Sequence, residues 1–72
     1  MRIITLNLNG VRSASKKGFF LWLQKQKADI VCVQELKAQV TDLSNEMLVP
    51  KGYHGYFHCA ERKGHSGVGI YC

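Results

Sequence analysis

Cysteine is scarce in this 72-residue sequence and poorly placed for a covalent framework. Cys32, Cys59 and Cys72 are odd in number, far apart, and form no C-x-x-C pair. That argues against a disulfide scaffold or a zinc knuckle, and makes a reducing, cytoplasmic setting the simpler expectation. No apolar run approaches the ~18 residues of a membrane-crossing helix. Strand-like sequence begins at Arg2, which leaves no room for the apolar segment and cleavage site of a signal peptide. There is no internal repeat, linker or low-complexity tract, and no carboxylate precedes Asp29.

What is present is a globular composition, 46% hydrophobic, with a net charge of +5. A chain of this size buries only ~60% of the surface it exposes when unfolded, so independent folding is marginal. The positive charge is local: Arg2, Arg12, Lys16, Lys17, Lys25 and Lys27 all lie ahead of the first acid. A basic half of this kind suits a polyanion, nucleic acid first; a solvated lysine face is the plainer alternative.

Ile3, Ile4, Leu6 and Leu8 make the stretch from Arg2 to Leu8 read as a strand covered on both faces. Asn9 and Gly10 break it, and the sequence reads as loop to Ser15. A helix is expected over Lys17 to Lys27, capped by Ser13 or Ser15, with Phe19, Phe20, Trp22, Leu23 and Gln26 on its apolar stripe. Asp29 to Gln34 is a second buried strand, so strand, helix and strand form a unit with parallel strands. Thr41 is expected to cap a short helical turn carrying Leu43, Met47 and Leu48, and Pro50-Lys51-Gly52 is a turn. Tyr53 to Ala60 reads as a third strand, with Tyr53, Phe57 and Cys59 on one face and His54, Tyr56 and His58 on the other. Glu61 to His65 is a polar loop, and Ser66 to Tyr71 a fourth strand that stops at the chain end, as if cut.

Parallel strands open their C-terminal ends onto one edge, where ligands of open α/β sheets bind. The first strand brings Asn7 and Asn9 there, the second Gln34 and Glu35. Amide oxygens and one carboxylate are hard donors that suit magnesium, which takes one or two protein carboxylates and keeps its waters. The same residues also serve as ordinary caps of strand-end turns, and spacing alone leaves both readings open. His54 and His58 do not rival them: on a strand they stand ~13 Å apart, too far to share an ion.

Residues 28 to 37 read Ala-Asp-Ile-Val-Cys-Val-Gln-Glu-Leu-Lys, residues 5 to 12 Thr-Leu-Asn-Leu-Asn-Gly-Val-Arg, and residues 66 to 70 Ser-Gly-Val-Gly-Ile. These three blocks and their spacing resemble the exonuclease III-like AP endonucleases. The resemblance runs over essentially the whole chain but only the opening part of a family member. It implies an α/β fold, residues 1 to 72 forming the N-terminal portion of one domain, a four-layered α/β sandwich in which two sheets pack together between helices. It implies that Glu35 is the magnesium-binding carboxylate and Asn7 a member of the same catalytic cluster. Asn9 stands where some members carry an Asp near the metal, and is a weaker ligand. Arg12 and Lys37 would face the DNA backbone, joined by Lys16 and Lys17, which as cations at a helix N-terminus would point to a phosphate partner. Gln34 would support the loop, and the aromatic residues of the helix would be core.

The later Asp that positions water, the Asp-x-Asn pair, the mid-chain Tyr and the C-terminal Asp-His pair of the family have no counterpart here. Tyr53, Tyr56 and Tyr71 do not match the catalytic Tyr, and Asp29 belongs to the signature strand. The resemblance implies a monomeric, Mg2+-dependent repair nuclease, with Mn2+ as a substitute, acting on double-stranded DNA at abasic sites and 3′ ends, without membrane association. The 72 residues alone should fold poorly, leave apolar sheet faces uncovered and lack turnover. A phosphatase of the same fold group and a non-catalytic DNA-binding module are the rivals.

Overall fold

A computed structural model of the chain describes residues 1–62 and 64–72. Lys63, in the expected polar loop from Glu61 to His65, lies outside the described residues. The order is β1 (Ile3–Asn7), α1 (Val11–Lys16), α2 (Phe19–Gln26), β2 (Ile30–Gln34), a 3-10 turn (Val40–Asp42), α3 (Asn45–Leu48), β3 (Gly55–His58) and β4 (Val68–Tyr71). The strands form one mixed sheet in the order β1-β2-β4-β3. β1 and β2 pair in parallel, as the crossover required, and β4 runs antiparallel to both its neighbours.

Register sorts the strand residues into two faces. Rows Ile4–Val31–Tyr71–Gly55 and Leu6–Val33–Gly69–Phe57 cross all four strands on the covered face. Phe19, Phe20 and Leu23 of α2 close over them, with Val11 of α1 buried in the same core. Tyr71 is its centre. The ring meets Phe20 and Phe57 edge-on at 6.1 and 5.7 Å, and its hydroxyl donates to the Met47 carbonyl at 2.6 Å. Burial pushes the Tyr71 phenol well above its ordinary value. Gly69 makes room for this packing, since a Cβ there would stand 2.8 Å from the Phe57 ring.

The opposite face carries the row Thr5–Cys32–Ile70–Tyr56, and among the described residues no element covers it. Ile3, Tyr56, Val68 and Ile70 on it are 44% to 62% exposed, the uncovered apolar face that the sequence led one to expect.

Several local expectations are corrected. The segment read as loop before Ser15 contains α1, which starts after Gly10 turns at φ 102° and Val11 plugs into the core. Ser13 and Ser15 therefore lie inside α1 and cap nothing. Gly18, in a left-handed conformation, precedes α2 without a side-chain cap. Trp22 is not core: it is 42% exposed, with its ring tilted over Phe19 at 6.0 Å. Ser44, not Thr41, caps the short helix, its hydroxyl accepting from the Met47 amide, while Thr41 sits in the preceding 3-10 turn. β3 keeps the expected alternation but is shorter, and β4 begins only after Ser66 and Gly67 turn through positive φ.

Candidate functional site

β1 and β2 end side by side, with Asn7 directly opposite Gln34. The chain then continues the pairing into the loops. Amides of Leu8, Gly10 and Val11 donate to the carbonyls of Gln34, Glu35 and Leu36 at 2.8 to 3.0 Å. On the other side, amides of Leu36 and Lys37 donate to the Gly67 and Ser66 carbonyls at 3.1 and 2.7 Å. The segment after β2 is therefore stitched between the segment after β1 and the turn before β4.

Leu36 is fully buried, and its neighbours Glu35 and Lys37 lie on the partly exposed side of the loop. Both adopt left-handed backbone, at φ 52° and 53°, and Asn9 opposite them does the same at φ 49°. Asn tolerates this region, while Glu and Lys rarely enter it, and each such residue stores on the order of 1 kcal/mol. The bracketing hydrogen bonds and the buried Leu36 hold that strain in place. Strain collected at one sheet edge is a mark of a functional loop.

The side chains complete the cluster. Asn7 donates its Nδ2 to Glu35 Oε2, which fixes the carboxylate. The Asn9 amide donates to Asn7 Oδ1 at 2.9 Å. Lys37 Nζ donates to Asn9 Oδ1 at 2.5 Å and stands 3.9 Å from Glu35 Oε1. Arg12 reaches from α1 to the Lys37 carbonyl at 3.2 Å. Gln34, expected to support the loop, donates instead to Thr5 Oγ1 at 3.0 Å and braces the two strands. Asn7, Asn9, Glu35, Lys37 and Arg12 thus meet at one edge.

Among the described residues, no side-chain hydrogen bond brings Lys16 to the cluster. It sits in the last turn of α1, and Lys17 follows as the C-cap. Cations are favourable at a helix C-terminus, so the argument from an unfavourable N-terminal position fails for Lys16, while Lys17, C-cap of α1, also directly precedes Gly18, the N-cap of α2. A cleft of about 430 Å³ opens beside Asn7, lined by Leu6, Leu8, Ala14, Lys17, Phe19 and Trp22 among others. The sequence reading missed this cleft and the direct link from Lys37 to Asn9. The link had one legible signal: both residues lie just beyond a strand end that faces the other.

The family model described as "Endonuclease/Exonuclease/phosphatase family" matches residues 4–72. The chain belongs to the endonuclease/exonuclease/phosphatase family. Within it, the chain is 39% identical over 72 residues to an exodeoxyribonuclease of Bacillus subtilis, covering 99% of this chain and 27% of that protein. It is 37% identical over 70 residues to a DNA-(apurinic or apyrimidinic site) endonuclease of Dictyostelium discoideum, covering 97% of this chain and 19% of the relative. The solved structure of an AP endonuclease from Archaeoglobus fulgidus superposes with a TM-score of 0.78 at 35% identity, over 94% of this chain and 26% of that one. The chain thus spans about a quarter or less of the length of these family members. Their mixed sheet with covering helices is the α/β architecture described above.

Proposed function

We propose that residues 1–72 carry the first part of the active site of a DNA-repair nuclease, one that hydrolyses phosphodiesters at abasic sites and at 3′ ends. The observation that carries this reading is the Asn7–Glu35 hydrogen bond, which joins the C-terminal ends of two parallel strands around one fixed carboxylate. The names of the relatives, an exodeoxyribonuclease and an abasic-site endonuclease, support the substrate class.

The family is a divalent-metal-dependent one; the ion we assign is Mg2+, with Mn2+ as a substitute. The donor set fits. Glu35 offers one carboxylate and Asn9 one amide oxygen, all hard oxygen, and among the described residues no group of three or more His, Cys, Asp or Glu competes for a softer metal. When bound, the ion would neutralise charge developing on the phosphoryl oxygens and the leaving 3′ oxygen. Glu35 would hold it, and Asn7 would keep the carboxylate from rotating. Arg12 and Lys37 would draw in the phosphate flanking the reacting bond, with Lys16 a more distant basic contact along α1. The 72 residues form the N-terminal portion of a single domain in this reading and lack turnover alone.

The test is to replace the matching segment of the Bacillus subtilis exodeoxyribonuclease, 27% of its length, with this chain. A duplex with one abasic site is then offered with magnesium and with chelator. Magnesium-dependent cutting that falls to a small residual rate in Glu35→Ala is the expected result. No cutting by a chimera with native-like circular dichroism would overturn the reading. Hydrolysis of phosphate monoesters alone would transfer it to a phosphatase.

A further inference from the structure

The oxygens of the cluster are not equivalent. Glu35 Oε2 is taken by Asn7, and Asn7 Oδ1 is taken by the Asn9 amide. The two that remain, Glu35 Oε1 and Asn9 Oδ1, face a single cation, the Lys37 ammonium, at 3.9 and 2.5 Å. An ammonium that gathers one carboxylate oxygen and one amide oxygen occupies the place a hard divalent ion would take from the same pair.

Its delivery there is built into the backbone. The left-handed turn at Lys37 is pinned by its amide on the Ser66 carbonyl and by Arg12 on its own carbonyl. The side chain itself is not confined. It is 42% exposed and ends on a flexible four-carbon stem, so the ammonium can leave without disturbing the loop.

We propose that Lys37 is the resident counter-cation of this site, and that a divalent ion binds by displacing its ammonium from Glu35 and Asn9. The inference rests on the metal-dependent reading above and adds how that site is regulated. Without the ion, Lys37 offsets the Glu35 charge and keeps both oxygens converged. With the ion, the ammonium swings outward and is free to pair with a substrate phosphate. Metal affinity is thereby held down, and metal binding and phosphate capture become one coupled event. The neutral Asn9 matters here, because the local charge of the Glu35–Lys37 pair sums to zero before the ion arrives.

The test is Mn2+ binding to the Bacillus subtilis chimera, with native-like circular dichroism required of every variant, read from the loss of the free-ion electron paramagnetic resonance signal. It compares the unaltered chimera with Lys37→Met, Lys37→Arg and Glu35→Gln. An exposed ion pair is weak and screened, so Lys37→Met should tighten binding by about two- to fivefold and not by thousands. Lys37→Arg, which restores a cation, should return the affinity close to that of the unaltered chimera. Glu35→Gln should abolish binding. An unchanged or weaker affinity in Lys37→Met, with binding still dependent on Glu35, overturns the displacement and leaves the metal site standing. Absence of Glu35-dependent binding in every variant overturns the metal site and the displacement together. A measurement without variants stands beside these: Mg2+ should shift the Lys37 ε-methylene resonances of the folded, unaltered chimera, and their invariance there would also overturn the proposal.

Discussion

The two faces of the sheet are made from alternate residues of the same strands, yet they lead different lives. On one face Val31, Val33 and Tyr71 are sealed under α2. On the other, Ile3, Val68, Ile70 and Tyr56 are just as apolar and stand largely in water. The hydrophobic content of a strand says how many faces want burial, but only the available helices decide how many get it. In this chain there are helices for one face. The candidate site sits where the two regimes meet: Asn7 and Gln34 end the open-face rows, while Leu36, two residues beyond Gln34, is buried.

This contrast makes predictions that differ in size by face. Tyr71→Ala should cost the most, about 3–5 kcal/mol in urea unfolding, because it empties the space between Phe20 and Phe57 and strips the Met47 carbonyl of its donor. An effect below about 1 kcal/mol would mean that the covered face is not a packed core. Gly69→Ala should cost about 1–3 kcal/mol by overpacking, since the new methyl meets the Phe57 ring, and Phe57→Leu should recover part of the loss.

Alkaline pH tests the same centre. The Tyr71 pKa is raised in the folded state by burial. Its contribution to stability is therefore present in full below the ordinary tyrosine value of 10.0, and is lost as pH climbs from there toward the higher folded-state value. Thermal midpoints should fall over that alkaline window in the unaltered chain and fall less in Tyr71→Phe. A midpoint that rises there would contradict the burial. The smallest effect belongs to the open face: Tyr56→Ser should change stability by no more than about 0.5 kcal/mol while reducing self-association on sizing columns. A large loss would mean that something covers this face in solution.

The parallel pair and the placement of Glu35 were legible in the sequence because continuous apolar runs ended abruptly in polar residues. A buried strand that stops at Gln34-Glu35 must bring a carboxylate to a sheet edge, whatever the details of its neighbours. α1 escaped notice because it is held by one buried residue, Val11, and a single anchor sets no period. Its serines suggested caps, since nothing in their identity tells a cap from an exposed helical position. Trp22 followed the apolar stripe of α2 but lies at its margin, next to the cleft rather than over the sheet. Least legible of all were the left-handed turns at Glu35 and Lys37. Neither residue type favours that conformation, which is imposed by backbone hydrogen bonds from two distant segments.

The central claim is that two strand ends form one site through Asn7 and Glu35. A double-mutant cycle of abasic-site cleavage in the Bacillus subtilis chimera tests it most directly. If Asn7 acts by holding Glu35, then Asn7→Ala slows cutting alone but adds almost nothing once Glu35→Ala is present. Losses that simply multiply, with Asn7→Ala as damaging in the Glu35→Ala background as in the unaltered chain, would contradict the account.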